Sequence, residues 1–314
     1  MSIFIVLAMY ALWSSCFSLG KVALAISPPL FLTASRMILA SLILLSFIVW
    51  KDRKSLKIDK KTFLLIALLG LSGIYLTNAL EFWSLQYLTA AKTCFIYSLC
   101  PFFSALFSYI HFKEKMTPKK WLGLSIGLVG ILPVLGNQKG SSDLFTSFFS
   151  WPELAMFAAA ITTVYGWILM RLVLKKNQTT PLATNGLSML IGGSFALIHS
   201  LMIDSWTPLP IPTQQIGSFT SSILWMTFIS NIVCYNLYGM MLKRFTATFL
   251  SFMGLLSPIF ASLTSWILLG ETPSLSIFLS TGIVSIGAWL VYSAELKQGY
   301  TTSSLKQEET PASS

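Results

Sequence analysis

The sequence predicts an all-α integral membrane protein whose ten transmembrane helices form two inverted repeats of five helices each. Three observations predict this fold: an apolar composition, a strict alternation of basic loops, and a repeat within the chain. Of the 314 residues, 54% are hydrophobic and only 10% are charged, whereas a soluble domain carries about 25% charged residues. A soluble chain of this composition would leave much apolar surface uncovered, so the soluble classes are disfavoured.

Ten apolar runs are long enough to cross a bilayer, which takes about 20 residues. We place them at residues 3–25, 29–50, 62–82, 88–112, 120–136, 151–170, 181–203, 218–241, 246–269 and 274–294. Proline marks several boundaries, at Pro28 and Pro29, Pro118, Pro181 and Pro273, because proline fits the first turn of a helix and interrupts later turns. The first run lacks the basic segment of a cleaved signal peptide, so it is expected to be the first spanning helix.

Basic residues alternate between the two sides of this arrangement. The loops after the second, fourth, sixth and eighth runs, together with the C-terminal tail, hold 17 of the 21 Lys and Arg residues, and the opposite side holds only Lys139. Basic loops face the cytoplasm, which predicts an even number of helices in a cytoplasmic (inner) membrane with both termini inside. Because the charge of +10 sits in these short loops, it indicates membrane topology rather than nucleic acid as a partner.

The internal repeat relates residues 89–114 to residues 246–271 at an offset of 157, with ten of 26 positions identical. Each half therefore holds five helices, and because five is odd the second half enters the membrane in the opposite orientation. Inverted repeats are typical of secondary transporters, whose substrate site lies between the repeats near the midplane. The predicted organisation is a first repeat at 1–136, an external linker at 137–150, a second repeat at 151–296 and a disordered cytoplasmic tail at 297–314.

Two residue pairs stand out in this repeat. Pro101 matches Pro258, and Glu114 matches Glu271. The prolines are expected in the middle of their helices, where proline removes a backbone hydrogen bond and bends the helix. Each proline could then serve as a hinge that shapes the cavity or as a static packing kink, and the sequence favours neither. The glutamates are expected at helix ends as structural caps or anchors rather than substrate contacts.

These repeats resemble a known family. Trp13 and Lys21 in the first run, Arg36 in the second and the two Pro…Glu pairs resemble the EamA-type transporters of the drug/metabolite transporter superfamily, over residues 3–294. The resemblance implies a ten-helix basket with a central cavity, alternating access, and a cargo of amino acids, nucleotide-related metabolites or drugs. The Lys21 position has no clear counterpart in the second half, where Arg171 is nearest and is expected in a loop.

Within this superfamily the chain also resembles S-adenosylmethionine carriers of obligate intracellular bacteria. That resemblance implies uptake of S-adenosylmethionine, with exchange for S-adenosylhomocysteine as one mode of coupling. An amino-acid or drug/metabolite exporter of the same superfamily stays open as the alternative. No acidic residue stands out at the midplane as a proton carrier, which favours exchange or facilitated passage.

Four charged side chains lie within or at the edge of predicted helices one to four: Lys21, Arg36, Glu81 and Lys92. Charge is costly in hydrocarbon, so such residues face a partner or a water-filled cavity. The topology places all four in the outer half of the first repeat, with a net charge of +2 that would attract a carboxylate or phosphate. Snorkelling of Lys21 and Glu81 to the interface, and a loop-anchoring role for Lys92, remain alternatives.

Polar residues also line up on the third and eighth helices. Tyr75 and Asn78 share a face with Glu81, and Asn231 shares a face with Tyr235, because residues three or four apart lie on one side of a helix. Tyr97 in the fourth helix adds an aromatic group. We predict that these side chains line the substrate cavity; hydrogen bonding between helices is the alternative.

Motifs for other chemistry are not found in the sequence. It contains no P-loop lysine motif, no HExxH and no GxSxG on a nucleophile elbow, and its two histidines and four cysteines lack metal-ligand spacing. We therefore expect no enzyme activity, no cofactor and no metal. The expected partners are a small-molecule substrate that carries a carboxylate and membrane lipid, with no oligomer required. A receptor or membrane-bound enzyme is the alternative of another class.

Overall fold

The computed structural model describes residues 2–88, 93, 96, 97, 99–136, 150–257, 259, 260 and 275–300, and the regular structure in these ranges is helical. The main helices are α1 (Ser2–Leu24), α2 (Pro29–Lys51), α3 (Lys60–Leu85), α4 (Cys100–Phe112), α5 (Pro118–Gly136), α6 (Trp151–Lys175), α7 (Pro181–Ile203), α8 (Thr213–Met241), α9 (Ala247–Leu256) and α10 (Leu275–Lys297). A short 3₁₀ turn, Arg53–Leu56, lies between α2 and α3.

Six of the helices within the described ranges are long and apolar enough to span a membrane: α2, α3, α6, α7, α8 and the Leu279–Lys297 part of α10. Large aromatic side chains are exposed near the ends of several helices, as at Trp50, Trp151 and Trp289, where aromatic residues meet the membrane–water interface. The chain is therefore an all-helical, multi-pass membrane protein. The count of ten spanning helices stays a prediction.

Helix starts follow from local chemistry. Proline occupies the first turn of α2, α6 and α7, where its missing N–H costs no helical hydrogen bond. Polar side chains cap other first turns: Asp59 accepts from the Thr62 amide at 2.9 Å, and Thr246 accepts from the Phe249 amide at 3.0 Å. These caps hold amides that would otherwise lack a partner at the helix start.

Both α3 and α8 contain a π-helical segment. The segments are Gly70–Leu76 in α3 and Thr227–Cys234 in α8, and they begin 157 residues apart, the offset of the sequence repeat. A π segment rotates the side chains that follow it relative to an α-helix, and such segments often occur at functional sites. Asn78 and Tyr235, which also differ by 157, follow the ends of the two segments by two residues and by one residue.

Helix packing follows a two-fold pattern. Three helix pairs join equivalent helices of the two halves: α2 packs on α7, α4 on α9, and α5 on α10. The other contacts occur in matched pairs. The contact of α1 with α8 corresponds to that of α6 with α3, and the contact of α2 with α8 corresponds to that of α7 with α3. Exchanging each helix for the one five places later in the chain reproduces these contacts. This is the pattern expected of two similar halves related by a pseudo-two-fold axis.

Glycine allows the closest of these approaches. A Cβ at Gly73 in α3 would lie 2.9 Å from the Cα of Gly166 in α6. In α5, a Cβ at Gly123 would lie 2.9 Å from the Gly287 carbonyl of α10. These glycines thus allow close packing between helices of the chain, as is usual for small residues in membrane proteins.

The basic loops meet at one end of the bundle. The Thr62 hydroxyl donates to the Gln178 side chain at 2.8 Å, which joins the α2–α3 and α6–α7 loops. Gln298, beyond α10, donates to the Lys115 carbonyl in the α4–α5 loop at 2.9 Å. Arg171 lies inside α6, not in a loop as expected, because its side chain turns to a buried partner and the helix continues past it.

Candidate functional site

Arg36 of α2 is a buried charge between helices, with only 5% of its surface exposed. Its guanidinium donates to the Asn78 side-chain oxygen in α3 and lies 4.8 Å from the centre of the Phe82 ring. Asn78 is held in turn by its own donation to the Ile74 carbonyl at 2.7 Å. The Nε–H of Arg36 has no hydrogen-bond partner among the described residues. A buried guanidinium with an unused donor has the chemistry to bind an anionic group.

A carboxylate lies close to this guanidinium. Glu81, one turn beyond Asn78, is half-buried and accepts a hydrogen bond from the Tyr97 hydroxyl at 2.8 Å. It lies within electrostatic reach of Arg36. The structure therefore brings together Arg36, Asn78, Glu81 and Tyr97, which the sequence singled out separately. The pairing of opposite charges suits a zwitterionic group.

The eighth helix contributes the other side of the site. The Thr227 hydroxyl donates to the Arg36 carbonyl at 3.5 Å, and the fully buried Asn231 donates to the Met37 sulfur at 2.8 Å. The side-chain oxygen of Asn231 has no partner among the residues described. The Tyr235 side chain lies near Arg36 and Asn78. The polar site thus lies between α2 and α3 of the first half and α8 of the second.

Five aromatic rings continue the site towards α1 and α6. We call Tyr10, Trp13, Trp167, Tyr235 and Tyr238 the aromatic cluster. Trp13 lies 5.3 Å from Tyr235 and 6.1 Å from Trp167, and Trp167 stacks on Tyr238 at 3.9 Å between ring centres. Trp13 is partly buried, whereas the other four rings are buried. The cluster presents aromatic surface next to the charged groups.

Some predicted lining residues lie elsewhere. The Tyr75 hydroxyl pairs with Nδ1 of His199 in α7 at 2.8 Å, and its ring packs 6.0 Å from Phe195. Tyr75 lies in the π segment, where the α-helical spacing that grouped it with Asn78 does not hold. Lys21 lies on α1, but its side chain falls outside the described residues, as does the whole of Lys92.

The proline and glutamate pairs are described in part. Pro101 lies in the first turn of α4, and Thr93, Ile96 and Tyr97 before it are helical as well. A bend of the fourth predicted span at Pro101 stays a prediction. Glu114 forms an ion pair with Arg171 of α6 at 2.6 Å. That contact joins the α4–α5 loop to α6, in keeping with an anchoring role. Pro258 and Glu271 lie outside the described residues.

A second ion pair closes the basic end of the bundle. Lys120 of α5 and Glu295 of α10 lie 3.1 Å apart, with 1% and 0% of their side chains exposed. The Thr246 hydroxyl donates to the same carboxylate at 2.7 Å. Neither residue was singled out by the sequence, because Lys120 was assigned to a loop and Glu295 fell just past the expected end of the last helix. This buried acid lies near the C-terminal end of α10 and has a cation as its partner.

Comparison with known proteins agrees with this architecture. The sequence model of the EamA-like transporter family matches residues 1–136 and 150–293. The S-adenosylmethionine/S-adenosylhomocysteine transporter of Chlamydia muridarum is 39% identical over 97% of this chain and 95% of its own length, and that of Chlamydia trachomatis is 38% identical over 97% and 93%. The uncharacterised inner membrane transporter YedA of Escherichia coli is 22% identical over 90% and 88%.

A solved crystal structure shares the fold. It superposes with a TM-score of 0.75 over 95% of this chain and 98% of its own, at 16% sequence identity. The two segments matched by the family model leave out residues 137–149, between α5 and α6. By its sequence, this chain belongs to the EamA-like transporter family.

Proposed function

We propose that this chain carries S-adenosylmethionine across the cytoplasmic membrane in exchange for S-adenosylhomocysteine. Two relatives with these named substrates match nearly the whole chain at 38% and 39% identity. Both molecules carry an amino-acid group and an adenosine group. A carrier for them needs a partner for a carboxylate, a partner for an ammonium, and an apolar surface for the adenine.

The observation that carries the proposal is the buried guanidinium of Arg36 with its unpartnered Nε–H. Guanidinium binds carboxylate through two parallel hydrogen bonds, and Asn78 holds the group in place. Glu81 offers a negative charge for the substrate ammonium or sulfonium. Together Arg36 and Glu81 are neutral, so the pair accepts a substrate cation more readily than a wholly basic site would.

The alternating-access mechanism follows from the proposed architecture. We propose ten spanning helices in two inverted repeats, 1–136 and 151–296, with an external linker at 137–150 and a cytoplasmic tail at 297–314. The matched π segments and the two-fold packing pattern support the repeats. The polar site lies between helices of both halves, so rocking of one half against the other would expose it to each side in turn.

The orientation of the chain is part of the same proposal. Contacts among the basic loops and residues after α10 place these segments at one end of the bundle, and basic loops face the cytoplasm. Both termini are then cytoplasmic, and one chain supplies the whole site without an oligomer. An epitope tag after residue 314 should be reached by antibody only after the membrane is permeabilised.

Uptake of radiolabelled S-adenosylmethionine into cells that express the chain tests the function. We expect saturable uptake that unlabelled S-adenosylhomocysteine blocks and that a panel of amino acids does not. No uptake, with the protein shown to be in the membrane, would refute the proposed substrate. Uptake blocked equally by simple amino acids would refute its specificity.

Arg36→Ala and Arg36→Lys locate the substrate carboxylate. A hydrogen bond to a charged group contributes about 1.5–3 kcal/mol, so Arg36→Ala should raise the KM for uptake about 10- to 150-fold at normal expression. Arg36→Lys should recover part of the loss. Arg53→Ala is the matched control, because Arg53 is exposed at the basic end of the bundle. Equal KM values for Arg36→Ala and the parent would contradict the assigned role.

An amino-acid exporter remains the second candidate. The Arg36 and Glu81 pair would also fit a free amino acid, since both charges of a zwitterion find a partner there. Efflux of labelled amino acids from preloaded cells distinguishes the two functions. Amino-acid efflux that depends on Arg36, without S-adenosylmethionine uptake, would favour the exporter.

A further inference from the structure

The aromatic cluster adjoins the charged site through one residue. The ring of Tyr235 lies 5.3 Å from Trp13 and 5.3 Å from Trp167, and its side chain lies near Arg36 and Asn78. A ligand bound by the guanidinium would therefore extend towards these rings. The cluster draws on α1, α6 and α8, none of which supplies the guanidinium.

Trp13 differs from the rings around it. Tyr10, Trp167, Tyr235 and Tyr238 are each at least 92% buried, whereas Trp13 keeps accessible surface. The hydroxyl of Tyr10 is held by the Leu250 carbonyl at 2.7 Å, which fixes the ring beside Trp13. The indole is thus a supported flat surface that the protein itself does not cover completely.

We propose that the Trp13 indole, supported from behind by Tyr235, forms a stacking subsite for the flat heteroaromatic base of the substrate. Every nucleobase has a π face, and such a face stacks on aromatic side chains without base-specific hydrogen bonds. The unpartnered Nε–H of the buried Arg36 supplies the second, charged end of the site. The carrier then recognises a nucleoside joined to an amino acid by holding both ends.

This inference rests on the proposed function and deepens it. Substrate and product of a methyl-transfer reaction share the adenosine and the amino-acid groups and differ at the sulfur. A carrier that grips the two shared ends binds both molecules, which an exchanger requires. The positive charge of the sulfonium is then balanced separately, by the Glu81 carboxylate.

Ligands that contain one end each test the subsite. 5′-Methylthioadenosine carries the base without a carboxylate, and S-methylmethionine carries the carboxylate and sulfonium without a base. We would measure the binding of each to the purified full-length chain in detergent, and their competition with S-adenosylmethionine uptake. The variants are Trp13→Ala and Trp13→Phe, with Trp50→Ala as the matched control because Trp50 is 81% exposed at the end of α2.

For Trp13→Ala we expect at least tenfold weaker binding of 5′-methylthioadenosine, with binding of S-methylmethionine within twofold of the parent. A tenfold loss corresponds to about 1.4 kcal/mol, within the range for base–aromatic stacking. Trp13→Phe should restore most of the affinity, and Trp50→Ala should leave both ligands unchanged. Retained S-methylmethionine binding also shows that the variant is folded.

Two results would overturn the subsite. One is unchanged 5′-methylthioadenosine binding by Trp13→Ala, while the parent transports S-adenosylmethionine; the proposed function would then stand alone. The other is an equal loss of both ligands, with Trp13→Phe no better, which assigns the cluster to packing. Trp13-dependent binding of 5′-methylthioadenosine without any S-adenosylmethionine uptake would support the subsite and refute the proposed function.

Discussion

Breaking the buried ion pair between Lys120 and Glu295 should destabilise the protein far more than removing both charges. The two groups lie 3.1 Å apart at 1% and 0% exposure, so solvent does not screen them. Removing one partner of such a pair costs about 3–5 kcal/mol, because the remaining charge stays buried without its counterpart. Glu295→Gln leaves the Lys120 ammonium with the Tyr300 ring, 4.9 Å away, as a weaker partner.

The double variant separates the pair from its surroundings. Lys120→Met with Glu295→Gln leaves no uncompensated charge and keeps an acceptor for the Thr246 hydroxyl, so it should recover most of the loss caused by either single change. Thermal or denaturant unfolding of the four proteins in detergent gives the coupling energy, which we expect to exceed about 2 kcal/mol in view of the cost for one partner. Additive effects of the two substitutions would refute a coupled, buried pair.

Three further predictions follow from particular contacts. Gly73→Ala should cost about 1–3 kcal/mol of stability by forcing α3 away from the backbone of α6. Gly282→Ala, whose Cβ would meet no atom of the described residues within 4 Å, should be neutral or stabilising in the same unfolding assay. Hydrogen bonding at Thr62, whose amide donates to the carboxylate at 2.9 Å, lowers the pKa of Asp59 from its usual 3.8, so its ionised form stabilises the fold above pH 3.8. The Tm advantage of the parent over Asp59→Ala should then shrink as the pH falls through that lowered pKa; a gap independent of pH down to unfolding would refute it. Tyr75→Phe should leave the KM for uptake within twofold of the parent value, because the Tyr75 hydroxyl pairs with a histidine on α7. A large rise in KM would assign Tyr75 to the substrate site.

The charged part of the site could be predicted because an ionised side chain in an apolar run must face a partner or a water-filled cavity. Arg36 lies within the apolar run 29–50, and Asn78 and Glu81 share a helix face three residues apart. Their proximity in space followed from the topology, since helices that run in opposite directions bring an early and a late position to the same depth. The structure places Arg36 and Asn78 in contact at that level.

The aromatic part was only partly predictable. Trp13 entered through the family resemblance and Tyr235 through its helix face, but Trp167 lies in an apolar stretch where a tryptophan carries no signal of its own. The position of Tyr75 was missed for a different reason. A π segment is not visible in the spacing of apolar residues, yet it changes which side of the helix each residue occupies.

The buried acid was missed at a boundary. Hydropathy ends a helix at its first charged residues, so the last run was stopped at 294, one residue before Glu295. A charge with a partner on another helix allows the helix to continue, and α10 extends to Lys297. The same effect hid Arg171 and Lys120, whose carboxylate partners lie on other segments of the chain.

The unpartnered donor of Arg36 also bears on coupling. Closing the two halves around an empty site would enclose a guanidinium whose Nε–H lacks a partner among the described residues, and a buried unpaired donor on a charged group is costly. A substrate carboxylate removes that cost in either direction. The loaded carrier should therefore reorient faster than the empty one, which makes exchange faster than net flow. Efflux of labelled S-adenosylmethionine from preloaded cells should rise several-fold when S-adenosylhomocysteine is added outside. Equal efflux with and without it would mean that the empty site closes freely, and that another group in the protein pairs with Arg36 during the return.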